Sequence, residues 1–298
     1  MSELIKISAE IEEALAAGGA VVALETTLVS HGFPGAEGLA VALACEERVR
    51  AAGAVPATVG VLDGLIRVGL DAEKLERFAH APEARKVGPR DLAACAAQGA
   101  LGATTVGGTL AVARATGLRF MGTGGLGGVH RGFAETLDVS ADLGELARTP
   151  ALVVASGAKS ILDVPATAEV LETLGIPVLG WRTDEIPLFY RASGGPPVSA
   201  RVESADEAAG VASTHWALGR GGVVLARPPT VSLDVETLIA KGVREAERQG
   251  VRGQSVTPFL LAFLHERSGG ETVEANKRLV ADNAALAAEV AFAYTLIS

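Results

Sequence analysis

The sequence predicts an α/β protein, with helices covering both faces of a mainly parallel sheet. Three observations lead there. Apolar runs of strand length alternate with helix-length amphipathic segments through most of the chain. Hydrophobic residues make up 49% of the sequence but aromatics only 4%, so Ala, Val, Leu and Gly must build the core, which suits close helix-on-sheet packing. No low-complexity linker divides the 298 residues, so residues 1–298 read as one domain.

The elements follow in order. Residues 8–17 form a helix, with Ser8 as N-cap, Glu10 and Glu12 near its positive end, and Gly18-Gly19 ending it. Residues 20–24 are a buried strand that flows into Glu25-Thr26-Thr27. A helix over 38–52 is stopped by Gly53. Residues 56–62 are a strand, and 65–70 its hairpin partner, so some antiparallel pairing is expected. Helices are expected over 71–79 and 90–98, the latter capped by Gly99. Residues 104–106 are short and buried, and 107–115 are helical. A strand at 120–122 leads into a glycine-rich loop. Residues 142–149 form a helix and 151–155 a strand. A helix over 167–174 and strands at 178–181 and 222–226 come next. Long helices over 233–249 and 275–295 complete the pattern.

In such sheets, ligands bind at the carboxyl ends of the strands. Glu25, Thr105-Val106, the Gly122 loop and Lys159 all fall at or just past predicted strand ends. Lys159 follows the strand 151–155 and a small-residue turn, at what reads as a helix start. The chain holds 20 Arg but six Lys, so a plain surface cation here would more often be Arg. One reading is a snorkelling lysine. The other is a nucleophile, because a helix dipole and partial burial lower a lysine's proton affinity and let the amine attack a carbonyl.

Glu25 invites a similar choice. A carboxylate ending a buried strand is either held by Thr26, Thr27 or a backbone amide, or works as a general acid or base. His31 is a second proton-handling candidate. The loop GTGGLGGVHRG has six glycines between Gly122 and Gly132, which would let backbone approach a ligand closely. Its spacing does not fit a dinucleotide fingerprint. His130-Arg131 at its end could serve an anion or a base. Asp138 and Asp142 precede a helix. Asp142 can cap it, whereas Asp138 has no such duty. One or two carboxylates with waters would suit Mg2+ or Mn2+. Lys86 lies in a basic loop before a helix, open to solvent or to a substrate phosphate.

The net charge of −9 argues against non-specific nucleic-acid binding. Cys45 and Cys95 are not spaced as a metal pair and read as small buried hydrophobes of a reducing compartment. The acidic, amphipathic N-terminal segment is no signal peptide, and no apolar stretch approaches the ~20 residues of a membrane span. A cytoplasmic setting is expected.

These segments, in this order, resemble the pseudouridine-5′-phosphate glycosidases, also described as the indigoidine synthase A-like family. The resemblance is carried by ALETTLVSHG from Ala23, RKVGPRDL from Arg85, GATTVGGT from Gly102 and GTGGLGGVHRG from Gly122. It continues through DVSADLGELARTP from Asp138, SGAKSILD from Ser156, WRTDEIPLFY from Trp181, SVTPFLL from Ser255 and NKRLVADNAALAAEVA from Asn276. It implies a three-layer α/β/α domain, a homotrimer, and reversible cleavage of the C–C bond between uracil and ribose 5-phosphate with a divalent metal, commonly Mn2+.

By the same resemblance, Lys159 makes an imine with the sugar, Glu25 moves protons, and Asp138 holds the metal. Ser140, Ala141 and Asp142 line the substrate site. Lys86 and Val106 contact substrate, the latter through its backbone. Thr123 and His130 are walls, and Asn283 reads the uracil edge. A separate pseudouridine kinase is the implied pathway partner. The sequence departs from the family pattern at Gly35-Ala36, at Gly88-Pro89 and at Ala281-Asp282, which puts loop packing and fine contacts to phosphate or base in doubt.

Overall fold

The structure, a computed structural model, describes residues 3–33, 37–81, 83–251 and 256–297. The departure at residues 35–36 and the start of the SVTPFLL segment lie outside them. The chain opens with β1 (Ile5–Ile7) and α1 (Ala9–Ala16), where Ser8 has N-cap backbone but no capping side-chain bond. β2 (Val21–Glu25) is buried throughout. The chain then doubles back in a π turn, Leu28–Gly32, and enters α2 (Glu37–Ala51).

β3 (Val55–Leu62) and β4 (Leu65–Val68) form the expected hairpin. It turns at Asp63 (φ 53°) and Gly64 (φ 75°), the left-handed pair that a tight two-residue turn requires. α3 (Ala72–Ala79) is capped by Asp71, whose carboxylate accepts the Lys74 amide at 2.9 Å. Then come β5 (Arg85–Val87), α4 (Leu92–Ala97), β6 (Gly102–Thr104), α5 (Val106–Thr116) and β7 (Phe120–Gly122). The one-turn α6 (Phe133–Thr136), α7 (Ala141–Arg148), β8 (Leu152–Ala155) and α8 (Val164–Thr173) follow. The remainder is β9 (Val178–Trp181), β10 (Ala200–Val202), α9 (Ala205–Ala217), β11 (Val223–Ala226), α10 (Glu236–Arg248), α11 (Val256–Arg267) and α12 (Glu271–Thr295).

These strands join one sheet in the order β1-β4-β3-β2-β7-β8-β11-β9-β10, with β6 and then β5 branching from β3. Pairing is parallel except where β3 meets β4 and β6. With helices on both sides, this is the mixed, mainly parallel α/β/α architecture. Strands β2, β7, β8 and β11 supply its apolar centre: Val22, Ala23, Leu152, Val153 and Leu225 are fully buried. Burial of each larger side chain contributes about 1.5–3 kcal/mol. α12 crosses beneath this centre so closely that a Cβ on Gly122 would lie 2.7 Å from the Ala284 Cα.

The chain lays β3 on one side of β2 and later β7 on the other. Strand order therefore reverses between β2 and β7, and a crevice opens at their carboxyl ends. Three local expectations are corrected. Lys86 sits on a strand, β5, paired in parallel with β6, rather than in a loop. Ser140, not Asp142, caps α7, accepting the Asp142 amide at 3.2 Å. Lys159 does not begin a helix: α8 starts at Val164 behind its own N-cap, Asp163. The dipole field expected at Lys159 therefore does not act on it.

Candidate active site

Three adjacent parallel strands deliver the central residues. Glu25 ends β2, Thr123 follows β7, and Lys159 follows β8 after the turn 156–158. The backbone continues the β7–β8 pairing past the strand ends. The Leu126 amide donates to Gly157 O at 3.0 Å, and the Lys159 amide donates to Leu126 O at 3.1 Å. Lys159 is thus fixed to the glycine-rich loop at its backbone, while its half-buried side chain lines a cavity of about 910 Å3. Glu25, Lys86, His130, Asp138 and Ser140 line the same cavity.

Glu25 is buried, and each of its oxygens accepts one hydroxyl: Oε1 from Thr123 and Oε2 from Thr27. Burial raises its proton affinity above that of an ordinary glutamate, partly offset by the Lys159 charge and then by the two hydroxyls. Lys86 titrates below an ordinary lysine, because it is desolvated and stands near Lys159. His130 is likewise lowered by burial, which outweighs the pull of Asp138. The His130 Nδ1 lies 4.0 Å from Asp138 Oδ2. The ring and the carboxylate are therefore neighbours at the edge of contact.

Asp142 works as a tie. Its Oδ1 accepts the Gly107 amide at 2.7 Å and its Oδ2 the Gly127 amide at 2.9 Å. It joins the start of α5 to the glycine-rich loop. Along that start, the Thr105 amide donates to Val87 O and the Gly108 amide to Thr105 Oγ1. Among the described residues, the Val106 amide is the one left without a partner at this helix start.

The glycine loop is only partly as expected. Its residues 122–129 are buried; Gly127 lines the cavity, while others make room for protein. A Cβ on Gly125 would lie 2.6 Å from the Phe189 ring, and one on Gly128 would lie 2.4 Å from Thr167 Oγ1. Arg131 is not an open anion site either, for it is held by Glu236 at 2.8 Å and by Ser160 O at 3.1 Å. His31 lies outside the cavity, with its Nε2 2.9 Å from Ala84 O.

Thr123 and Asn283 are fully buried. Asn283 Nδ2 donates to Thr123 O at 2.8 Å and to Ser156 Oγ at 3.1 Å, so its amide nitrogen braces the backbone behind Glu25, while its Oδ1 is buried without a partner among the described residues, and neither Asn283 nor Thr123 lines the cavity. The neighbouring departure, Asp282, points elsewhere, pairing with Arg48 at 3.2 Å and Arg227 at 3.1 Å. Of the two threonines the sequence offered as holders of Glu25, Thr27 does so at Oε2, while the Thr26 hydroxyl donates to Val59 O at 2.8 Å. The signal for Thr27 was a hydroxyl two positions beyond a buried carboxylate.

A family model for indigoidine synthase A-like proteins matches residues 10–293. The chain belongs to this family. Relatives named pseudouridine-5′-phosphate glycosidase occur in Roseiflexus sp. strain RS-1, 52% identical over 97% of this chain and 95% of that protein. Another, from Myxococcus xanthus, is 46% identical over 99% of each. Two solved structures share the architecture. The prealnumycin C-glycosynthase AlnA, in complex with ribulose 5-phosphate, superposes with a TM-score of 0.91 at 40% identity, covering 100% of this chain and 99% of that one. An indigoidine synthase A-like protein from Thermotoga maritima superposes with a TM-score of 0.89 at 36% identity, covering 98% and 97%.

Proposed function

We propose that this chain reversibly cleaves the C–C glycosidic bond of pseudouridine 5′-phosphate, giving uracil and ribose 5-phosphate through an imine on Lys159. The observation that carries the reading is the convergence of Lys159 and a buried, proton-hungry Glu25 in one polar cavity at a strand-order reversal. The names of relatives up to 52% identical over nearly their whole length support it, as does the sugar phosphate held by AlnA.

A C-glycoside offers no leaving oxygen or nitrogen, so the two-carboxylate route of ordinary glycosidases lacks a leaving group to protonate. An amine changes the problem. Lys159 Nζ bonds C1′ as the C1′–O4′ bond opens, and the proton displaced from nitrogen goes to O4′. The nitrogen lone pair then expels the base while C5 of uracil takes a proton from Glu25. The imine left at C1′ is hydrolysed by water, which releases ribose 5-phosphate and returns the proton to Glu25. Lys86, Ser140 and Ala141 border the space where sugar and phosphate would lie, His130 forms a wall, and Thr105, the residue before Val106, lines the same cavity.

Asp138 suits a divalent cation. Its carboxylate reaches the cavity, and among the described residues no donor lies within hydrogen-bonding distance of it. The oxygens of Asp142 are already taken by two amides, and among the described residues no cluster of three metal-binding side chains exists. A hard ion with one protein carboxylate and otherwise water ligands fits this donor set, which means Mn2+ or Mg2+. Bound there, the ion would supply positive charge and ordered water beside an anionic substrate.

Phe133, Leu137 and Val139, exposed near Asp138, offer apolar surface for the homotrimer that the resemblance implies. No helix among the described residues is long and apolar enough to cross a membrane, and a cytoplasmic setting with a separate kinase supplying substrate completes the reading. A second reading, an imine-forming lyase on another sugar or nucleoside phosphate, is favoured by AlnA itself, a C-glycosynthase of a different product.

The test is borohydride trapping with ribose 5-phosphate, uracil and Mn2+, with adducts mapped by mass spectrometry. A ribose phosphate adduct on Lys159, with pseudouridine 5′-phosphate formed in the untrapped mixture, is expected. The adduct without that product would favour the second reading. Folded, metal-loaded protein giving neither would overturn the imine.

A further inference from the structure

We propose that Thr27 is a positioning residue for Glu25: its hydroxyl, acting with that of Thr123, aims the carboxyl and sets how readily it gives and takes a proton. The inference rests on the reading above for the part Glu25 plays in turnover, while the clamp itself stands on geometry alone.

Each carboxyl oxygen of Glu25 has one hydroxyl donor, Thr123 on Oε1 and Thr27 on Oε2. The donors come from different places, one beyond β7 and one just beyond β2 itself. In a continuing strand, residues two apart share a face but stand about 6.6–6.8 Å from each other. Contact between residues 25 and 27 needs the chain to turn, and here it enters the π turn Leu28–Gly32 at once. Such turns recur at functional sites.

Three contacts hold that turn. Ser30 Oγ donates to Phe78 O at 2.9 Å, and His31 Nε2 lies 2.9 Å from Ala84 O. α2 packs against it so closely that a Cβ on Gly38 would lie 2.1 Å from Val29 O. The position of Thr27 is therefore imposed by the fold around it. Its side chain also borders the cavity, where the carboxyl meets substrate.

A hydroxyl suits this duty because it stabilises a carboxylate without adding a fixed charge. The charged groups facing Glu25 are Lys159 beyond β8, Asp142 on α7 and Lys86 on β5. Lys159 favours the ionised carboxyl and Asp142 opposes it. In an imine reaction the charge on Lys159 changes from step to step, so its pull on Glu25 changes too. Thr27 and Thr123 supply the constant part.

The experiment compares Thr27→Val and Thr27→Ser with wild type. The carboxyl band of Glu25 is identified by infrared difference against Glu25→Gln and titrated in each protein. The pH profile of kcat with pseudouridine 5′-phosphate is measured in parallel. Thr27→Val should raise the apparent pKa of Glu25 by about one pH unit, since a donated hydrogen bond to the ionised form is lost. The matching limb of the kcat profile should move upward with it, and kcat should fall roughly tenfold or more with little change in KM. Thr27→Ser keeps the hydroxyl and should restore wild-type behaviour in both readouts.

A Thr27→Val protein whose infrared titration and pH limb coincide with wild type would overturn the proposal. So would a Thr27→Ser protein as shifted as the valine variant, because the hydroxyl would then not be the cause. If wild type fails to turn over pseudouridine 5′-phosphate, the proposed function falls, and the infrared titration still decides Thr27.

Discussion

Asp142 accepts the backbone amide of Gly107 at 2.7 Å, across the gap between α7 and α5. Its second oxygen does the same for Gly127. One buried side chain thus ties a helix start to the glycine-rich loop. Asp142→Ala would strand two buried N–H groups, each costing about 1–3 kcal/mol. The variant should lose about 2–6 kcal/mol in urea unfolding. A midpoint unchanged from wild type would refute the tie.

Asp138 stands four positions earlier and should behave in the opposite way. Its side chain is partly exposed, and His130 Nδ1 lies 4.0 Å from it. Asp138→Asn should stay within about 0.5 kcal/mol of wild type in stability. Its Mn2+ affinity, measured by calorimetry, should drop at least tenfold. Wild-type affinity in this variant would place the ion elsewhere.

Glu25→Gln should be inactive yet more stable than wild type near neutral pH. Folding raises the proton affinity of this carboxyl, so the folded state is favoured when it is protonated. That contribution is whole below the unfolded-state value of 4.5 and is lost as pH rises through the folded-state value. The glutamine cannot ionise. Its advantage should be on the order of 1 kcal/mol at pH 7 and should shrink toward pH 4.5 and below. A difference independent of pH would contradict the assignment.

Two glycines separate packing from backbone propensity. Gly122→Ala would press a methyl group to within 2.7 Å of the α12 backbone at Ala284 and should cost about 1–3 kcal/mol. Gly210 lies inside α9 with nothing within 4 Å of its missing Cβ. Gly210→Ala should stabilise by about 0.5–1 kcal/mol. Thermal melts of the two variants should move in opposite directions.

What the sequence displayed, and what it hid, follow from range. The strands 120–122 and 178–181 and the hairpin at 55–70 were legible, because alternation and turn chemistry are local signals. β1 and β10 are three residues each, too short for any periodicity to show. β5 was hidden for the same reason, so Lys86 was expected in a loop. α11 has apolar residues around its whole circumference and no stripe to read, and α9 is rich in small residues. Lys159 and Glu25 announced themselves by chemistry that sat oddly at a strand end. The duties of Asn283, Asp142 and the glycines were not legible, since each depends on a partner distant in sequence: Thr123, Gly107 and Gly127, and Ala284 or Phe189.

The floor of the site has a bearing on synthesis. α12 follows every strand in sequence, yet it lies directly under Gly122 and carries the Asn283 amide that braces Thr123 and Ser156. A ribosome releases residues in order, so the whole sheet emerges before the helix that covers β2, β7 and β8 from beneath. A nascent chain stalled before residue 271 would hold Glu25 and Lys159 on an unsupported crevice, with the apolar undersides of β2, β7 and β8 open to chaperones. Catalytic competence would then arrive late and abruptly, as the helix docks, and the growing polypeptide would be inert until that moment.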